Sequence, residues 1–373
     1  MKKILHVSKY YHPFKGGTEQ IARECVCALK NKYEQKVICF NHGEGNKIDL
    51  VDKVEVIRCK SNGQISSQTI SFSYGKMLKC VFNDFKPDIV IFHYPNPFVA
   101  HYLLKCLSAQ IKFVIYWHLD IVKQKILKNF FIHQNKCLIQ RADILIATSQ
   151  PYIEGSLYLR EVKDKCIVVP NCINVERLKF SEDIQNRVKE IRAQNEGKVI
   201  CLAIGRHTKY KGFKYLIRAS RKLDERFIIF IAGRGEETEK LKREAYGDNK
   251  VCFLGVVDDN ELKAYLIAMD IFCFPSITKN EAFGLALAEG MYYGKPAVTF
   301  NIPGSGVNYV CINRENGIEV PNGDVTAYAN ALIELADNPE LRKLLGENGR
   351  KRVIDNFLDT KFRCNILNII ESI

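Results

Sequence analysis

Short apolar runs alternate with helix-patterned segments along nearly the whole chain, and no other feature constrains the fold as tightly. In the first half the runs are Lys3–Val7, Gln35–Phe40, Val54–Cys59, Ile89–His93, Phe113–Trp117, Ile144–Thr148 and Cys166–Pro170. Helical patterns separate them over Thr18–Asn31, over Met77–Phe85 and from Pro97 onward. Runs this apolar are read as strands buried on both faces, and strands that alternate with helices predict a doubly wound parallel sheet. A polar break, Asn171-Cys172-Ile173-Asn174, precedes a second alternation. Its runs are Val199–Ile204, Phe227–Ala232, Lys250–Gly255, Ile271–Phe274, Pro296–Thr299 and Gly317–Val320, with helices over Lys214–Leu223, Ala327–Ala336 and Pro339–Asn356. A length of 373 residues suits two domains better than one. The expectation is therefore an α/β protein of two Rossmann-like domains, 1–170 and 171–359, and a final helix over 360–373.

Chemistry concentrates behind two strands of the second half. After Ile271–Phe274 comes Thr278-Lys279-Asn280-Glu281-Ala282-Phe283-Gly284-Leu285-Ala286-Leu287-Ala288-Glu289, in which two glutamates stand eight positions apart. Glu281 belongs to a loop at a strand's carboxyl end, where open α/β sheets bind ligands, and Glu289 falls about two turns into the next helix. The amides of Ala282, Phe283, Gly284 and Leu285 fall at that helix start and suit an anion. After Val199–Ile204 comes Gly205-Arg206-His207-Thr208-Lys209-Tyr210-Lys211-Gly212, so Arg206 and Lys211 can reach one phosphate group, the first as a planar fork and the second as a point charge. Carboxylates beside an anion site suit a ligand with hydroxyls at both ends and a diphosphate between them, such as a nucleotide sugar.

These pieces, with Gly16-Gly17 in the first loop, Gly233-Arg234-Gly235 and Phe253-Leu254-Gly255-Val256, resemble the retaining glycosyltransferases of family 4, which have the GT-B architecture of two Rossmann-like domains facing a cleft. The likeness runs from Met1 to about Phe357. It implies that Gly16, Gly17 and Gly205 approach the donor, that Val256 holds the base through its backbone, that Glu281 binds hydroxyls of the donor sugar and that Glu289 binds the ribose. Arg206 and Lys211 would neutralise the leaving diphosphate, and His118, at the end of Phe113–Trp117, would work near the transferred sugar. His93 and Asp120 are candidates for the acceptor side, Asp120 alternatively orienting His118. Arg234 is expected to point to solvent from a tight turn. The resemblance also implies that the last helix packs back on the first domain.

No Asp-x-Asp occurs, so no metal and no other cofactor is expected beyond the nucleotide-sugar substrate. Fourteen cysteines without a Cys-x-x-Cys, many inside apolar runs, read as small hydrophobes and not as disulfides or metal ligands. No run reaches eighteen apolar residues, and Lys2–Val7 is a strand pattern, so the expectation is a cytoplasmic protein. The net charge of +13 is uneven: residues 1–170 hold 25 Lys and Arg against 14 Asp and Glu, residues 171–373 hold 30 against 28. A basic first half without any nucleic-acid motif makes DNA and RNA poor candidates, so no nucleic-acid partner is expected and an anionic membrane surface is favoured. The segment Ile121–Ile132, lysines among apolar residues, is a candidate for lying on it.

Within the resembled family, Phe92–Pro97 and Tyr116–Lys125 are similar to the mannosyl- and rhamnosyltransferase-like branch of O-antigen and capsule synthesis. That implies GDP-mannose as first choice of donor and an undecaprenyl-diphosphate-linked glycan as acceptor, at the inner membrane face. Alternatives are a UDP- or dTDP-sugar donor, an epimerase on the same fold, and a non-catalytic partner subunit.

Overall fold

The computed structural model describes residues 1–14, 16–65, 68–121, 128–179 and 181–373, and these form two compact units. The first comprises Met1–Asn171 and Asp359–Ile373, the second Cys172–Leu358.

The first unit is built on an eight-stranded sheet: β1 (Lys3–Val7), β2 (Glu34–Phe40), β3 (Lys47–Val51), β4 (Val54–Cys59), β7 (Ile89–Tyr94), β8 (Lys112–Trp117), β9 (Ile144–Ala147) and β10 (Cys166–Val168). The small hairpin β5 (Gly63–Ile65) and β6 (Gln68–Ile70) stands outside it. The order is β10-β9-β8-β7-β1-β2-β4-β3, and every pairing is parallel except the edge pair β3 with β4. Every residue of β7 is buried, as a strand covered on both faces requires. The chain winds outward from β1 in both directions, so the loops after β1 and β7 leave at a switch point of the sheet. The helix Asp359–Glu371 returns to pack on Gly17–Leu29, where Arg363 meets Glu24 at 2.6 Å. This unit holds the whole charge excess of the first half, since Asp359–Ile373 adds two cations and two carboxylates.

The second unit has a six-stranded parallel sheet: β11 (Val199–Ile204), β12 (Phe227–Ala232), β13 (Val251–Gly255), β14 (Ile271–Phe274), β15 (Ala297–Phe300) and β16 (Gly317–Val320). Its order, β13-β12-β11-β14-β15-β16, puts the switch point between β11 and β14. The two loops singled out from sequence, 205–212 and 275–284, are therefore neighbours, although about seventy residues separate them along the chain. Four of these strands, β11, β12, β14 and β16, have the ends that the apolar runs predict.

Several elements were not expected, among them the hairpin β5/β6 and the helices Thr238–Glu244 and Asp259–Ala268, and two of the others show why. β3 is an antiparallel edge strand that exposes Ile48 and Leu50, so its pattern showed no buried face. The helix Glu182–Gln194 buries only Ile184 and Ile191, too sparse a stripe to stand out. Of the predicted membrane-facing segment, residues 122–127 lie outside the described residues, and a helix covers Lys128–Arg141.

Candidate functional site

In the second unit the site grows from the switch point. The loop after β11 ends in a 3-10 turn, Lys209–Lys211, and Gly212, whose φ of 67° lies in the left-handed region. A Cβ at Gly212 would stand 1.9 Å from the Pro275 carbonyl, so only glycine lets this loop close onto the one after β14. Ile277 seals the contact by donating its N–H to the Tyr210 carbonyl at 2.9 Å.

That closure brings Lys211 Nζ onto Glu281 Oε2 in an ion pair with both side chains nearly closed to solvent, 12% and 13% exposed. Ser276 Oγ donates to the same carboxylate oxygen at 3.3 Å, and Ser305 Oγ donates to the Glu281 carbonyl. Lys211 Nζ also lies 4.9 Å from the Phe274 ring centroid, a cation–π distance. Burial acts to lower the Lys211 pKa, but the Glu281 carboxylate outweighs it and holds the ammonium above its ordinary value, with Arg206 acting against it. Arg206 itself is exposed and has no ion pair with a described residue. Lys211 and Arg206 are near each other, and Lys211 is in addition held by Glu281, a partner that the sequence did not indicate.

Gly284, with φ of 92°, caps the helix Leu285–Tyr292. Glu289 sits one turn into it, not two, and is buried. Arg177 Nη1 lies 3.5 Å from its Oε1 and divides itself with Asp259, also at 3.5 Å. Burial raises the Glu289 pKa, with Arg177 opposing and Asp259 adding to the rise. A buried carboxylate with so thin a partner set can accept hydrogen bonds from ligand hydroxyls.

Beside these loops lies a cavity of about 660 Å3, lined among others by His207, Arg234, Thr238, Phe253, Gly255 and Val256. Val256 is 70% exposed at its rim, and Arg234 is exposed, as expected. The Gly233–Gly235 turn serves packing: a Cβ at Gly233 would stand 2.1 Å from the Gly205 carbonyl. His207 was missed by sequence reasoning. It is fully buried, its Nδ1 meets Thr238 Oγ1 at 2.9 Å, and its Nε2 is buried with no partner among the described residues. Its place between Arg206 and Lys211 was the available signal.

In the first unit, Gly17 opens the helix Gly17–Leu29 and Gly16 precedes it in extended backbone. A Cβ at Gly16 would meet the Glu19 carboxylate, the end of a flexible side chain, at 2.2 Å. His118, just past β8, donates its backbone N–H to the Tyr94 carbonyl, and its Nε2 lies 3.1 Å from His93 Nδ1. Burial pushes the His118 pKa down to about 3, and burial with the neighbouring imidazoles His118 and His6 pushes His93 well below its ordinary value. His93 is completely buried, so it stands behind His118 and does not itself line an acceptor surface. Asp120 is also corrected: its Oδ1 accepts from Trp117 Nε1 at 2.8 Å and Ser156 Oγ at 2.9 Å, and its Oδ2 from the Leu157 N–H at 3.3 Å. Its carboxylate pins the chain after β8 and is not set toward an acceptor.

Family models match both units of the chain. The model described as Glycosyltransferase Family 4 matches residues 15–177, and the model described as Glycosyl transferases group 1 matches residues 184–352. The chain is 29% identical over 362 residues to the O-antigen chain mannosyltransferase C of Escherichia coli, covering 95% of this chain and 94% of that protein. It is 28% identical over 355 residues to the D-rhamnosyltransferase WbpZ of Pseudomonas aeruginosa, covering 94% and 91%. Among solved structures, that of Anabaena HepE in complex with UDP superposes with a TM-score of 0.76 at 18% identity, covering all of both chains, a likeness of fold.

Proposed function

The chain belongs to the glycosyltransferases, a family 4 domain followed by a group 1 domain in the GT-B fold, and on that basis we propose that it moves a hexose from a nucleotide sugar to a lipid-linked glycan, with retention and without a metal ion. The observation that carries this reading is the Lys211–Glu281 pair at the switch point of the second unit, with Arg206 free of any described ion pair beside it and Glu289 one turn into the following helix. On this reading the second unit holds the donor and the first takes the acceptor. The base occupies the cavity at Phe253–Val256, Glu289 binds the ribose, and Glu281 binds sugar hydroxyls.

The bond between the anomeric carbon and the diphosphate oxygen breaks, and its electron pair leaves with that oxygen. Arg206, Lys211 and the amides around Gly284 and Leu285 meet the growing negative charge, and donors fixed in place for developing charge contribute more to such a reaction than any other feature of a site. The acceptor hydroxyl bonds to the anomeric carbon on the same face, and its proton passes to the departing phosphate oxygen. Glu281 is held against Lys211 as a binding group, so no carboxylate nucleophile is invoked.

The donor is proposed to be GDP-mannose, and a UDP- or dTDP-sugar is the alternative. Mannosyl transfer, named for the first bacterial relative, supports mannose as the sugar, the second relative is named for D-rhamnosyl transfer, and UDP in the Anabaena structure supports the alternative. A role in O-antigen synthesis is supported by the first of those names, and the undecaprenyl-diphosphate-linked acceptor belongs to the same proposal, supported by the basic first unit. The membrane contact proposed is peripheral, carried by the basic first unit; among the described residues no helix is long and apolar enough to cross a membrane. Two measurements on one reaction test the chemistry: the one-bond carbon–proton coupling at the anomeric centre of the product by NMR, which distinguishes the two mannose anomers, and turnover after exhaustive chelation. Retained configuration and undiminished turnover are expected; inversion, or activity abolished by the chelator and restored by a divalent ion, overturns the mechanism.

A further inference from the structure

Three histidines form a buried row across adjacent strands of the first unit: His6 on β1, His93 on β7 and His118 just past β8. The His6 and His93 rings are stacked with centroids 6.1 Å apart, those of His93 and His118 5.4 Å apart, and Tyr116 stacks on His118 at 4.4 Å. Histidine in a strand interior has no packing advantage over an aliphatic residue. Each ring also brings two nitrogens that need partners.

The proton positions along this row follow from its far end. Gln35 Nε2 donates to the Val26 carbonyl at 3.1 Å, which turns Gln35 Oε1 toward His6 Nε2 at 2.8 Å. An amide oxygen only accepts, so His6 carries its proton on Nε2 and leaves Nδ1 bare. That Nδ1 and His93 Nε2, on neighbouring stacked rings, are the two nitrogens of the row buried with no partner among the described residues. With His6 Nδ1 a lone pair, a His93 proton on Nε2 places unlike charge on the two unpartnered nitrogens of these neighbouring rings in a medium of low dielectric. His93 Nδ1 is then a lone pair, and the 3.1 Å contact requires His118 to donate from Nε2.

We infer that His93 is a positioning residue, which holds His118 in the Nε2–H tautomer so that His118 Nδ1 is an open hydrogen-bond acceptor for a substrate hydroxyl. The inference rests on the glycosyltransferase reading for the identity of the substrate, but not for the tautomer. No described residue hydrogen-bonds His118 Nδ1, and the residue keeps 4% of its surface at the carboxyl end of the sheet, where ligands bind. Burial lowers the His6 pKa to about 4, with the Gln35 bond opposing, so this ring as well as His93 and His118 is neutral at ordinary pH. A neutral ring with a fixed tautomer can accept a hydrogen bond without first losing a proton.

The test is a long-range proton–nitrogen correlation spectrum of the full chain with labelled histidine near neutral pH, His118 being assigned from the spectrum of His118→Gln. The expected His118 pattern is that of a neutral ring protonated at Nε2. His93→Phe, which removes the acceptor, should give His118 a mixture of tautomers, and His93→Asn, which offers an amide oxygen near the Nδ1 position, should restore one. In transfer assays His93→Phe should lower kcat on the order of tenfold, as loss of a partner behind a working imidazole does, with donor KM held and Asn recovering the loss. Protonation of wild-type His118 at Nδ1, or an unchanged His118 pattern in His93→Phe, overturns the inference. Should His93→Phe fail to fold, the wild-type spectrum decides alone. Absence of transfer in the wild type counts against the glycosyltransferase reading and leaves the tautomer result standing.

Discussion

The ammonium of Lys211 rests on the carboxylate of Glu281, joining the loop after β11 to the loop after β14 across the switch point of the second sheet. The pair does two things at once. It fixes a cation that is otherwise costly to bury, and it orients a carboxylate toward the position proposed for the donor sugar.

Because each partner compensates the other, losing one should cost more than losing both. Lys211→Met should destabilise the protein by about 3 kcal/mol in urea unfolding, the scale at which an uncompensated buried charge acts. Lys211→Met with Glu281→Leu should recover most of that loss while remaining inactive. Additive losses in the double variant would show that the two side chains are not coupled.

Arg206 offers the complementary case. It is exposed and has no ion pair with a described residue, so Arg206→Ala should leave the melting temperature unchanged. Its turnover should nevertheless fall by about two to three orders of magnitude, as when a charge-stabilising donor is lost. Steady-state kinetics beside a thermal melt checks both halves, and full activity in Arg206→Ala rejects the role.

Glu289 predicts a pH-dependent trade. Burial raises its folded pKa above the ordinary 4.5, so the stability linked to this group is present below that value and is lost as pH rises through the folded pKa. Glu289→Gln should therefore melt higher than the wild type near neutral pH, and the gain should vanish below about pH 4.5. The same variant should bind free nucleoside diphosphate more weakly by calorimetry. A lower melting point at neutral pH would mean that Arg177 already offsets the cost of burial.

Much of this architecture could be read from the chain, and the unread parts share a cause. β11 and β14 were legible because an unbroken apolar run with a sharp polar end has no other home than a covered parallel sheet. Arg206, Lys211, Glu281 and Glu289 were legible as candidates because each follows such an end. The partnership of Lys211 with Glu281 was not, since it depends on strand order and on the contact that Gly212 permits with Pro275. Asp120 misled because its position beside His118 in sequence says nothing of Trp117 and Ser156, which take its oxygens. His6 and His207 were passed over for the same reason: a histidine's partners come from neighbouring strands and loops.

The charge of the first unit, +11 by its residues, predicts attraction to anionic bilayers. Cosedimentation with them should exceed that with neutral vesicles and should fade as salt rises to physiological strength, where the Debye length is about 8 Å. Equal binding to both kinds of vesicle, or none to either, would remove the membrane from the function proposed.

Whether the second unit holds a nucleotide sugar by its diphosphate is decided by a donor panel. The wild type and Arg206→Ala are each incubated with GDP-, UDP- and dTDP-linked hexoses, and release of free nucleoside diphosphate is followed together with the thermal shift. GDP-mannose is expected to stabilise the wild type and to be slowly hydrolysed by it, with hydrolysis lost in Arg206→Ala. Response to UDP- or dTDP-sugars alone would move the donor assignment and keep the site. No stabilisation and no release with any donor would refute donor binding in this unit altogether.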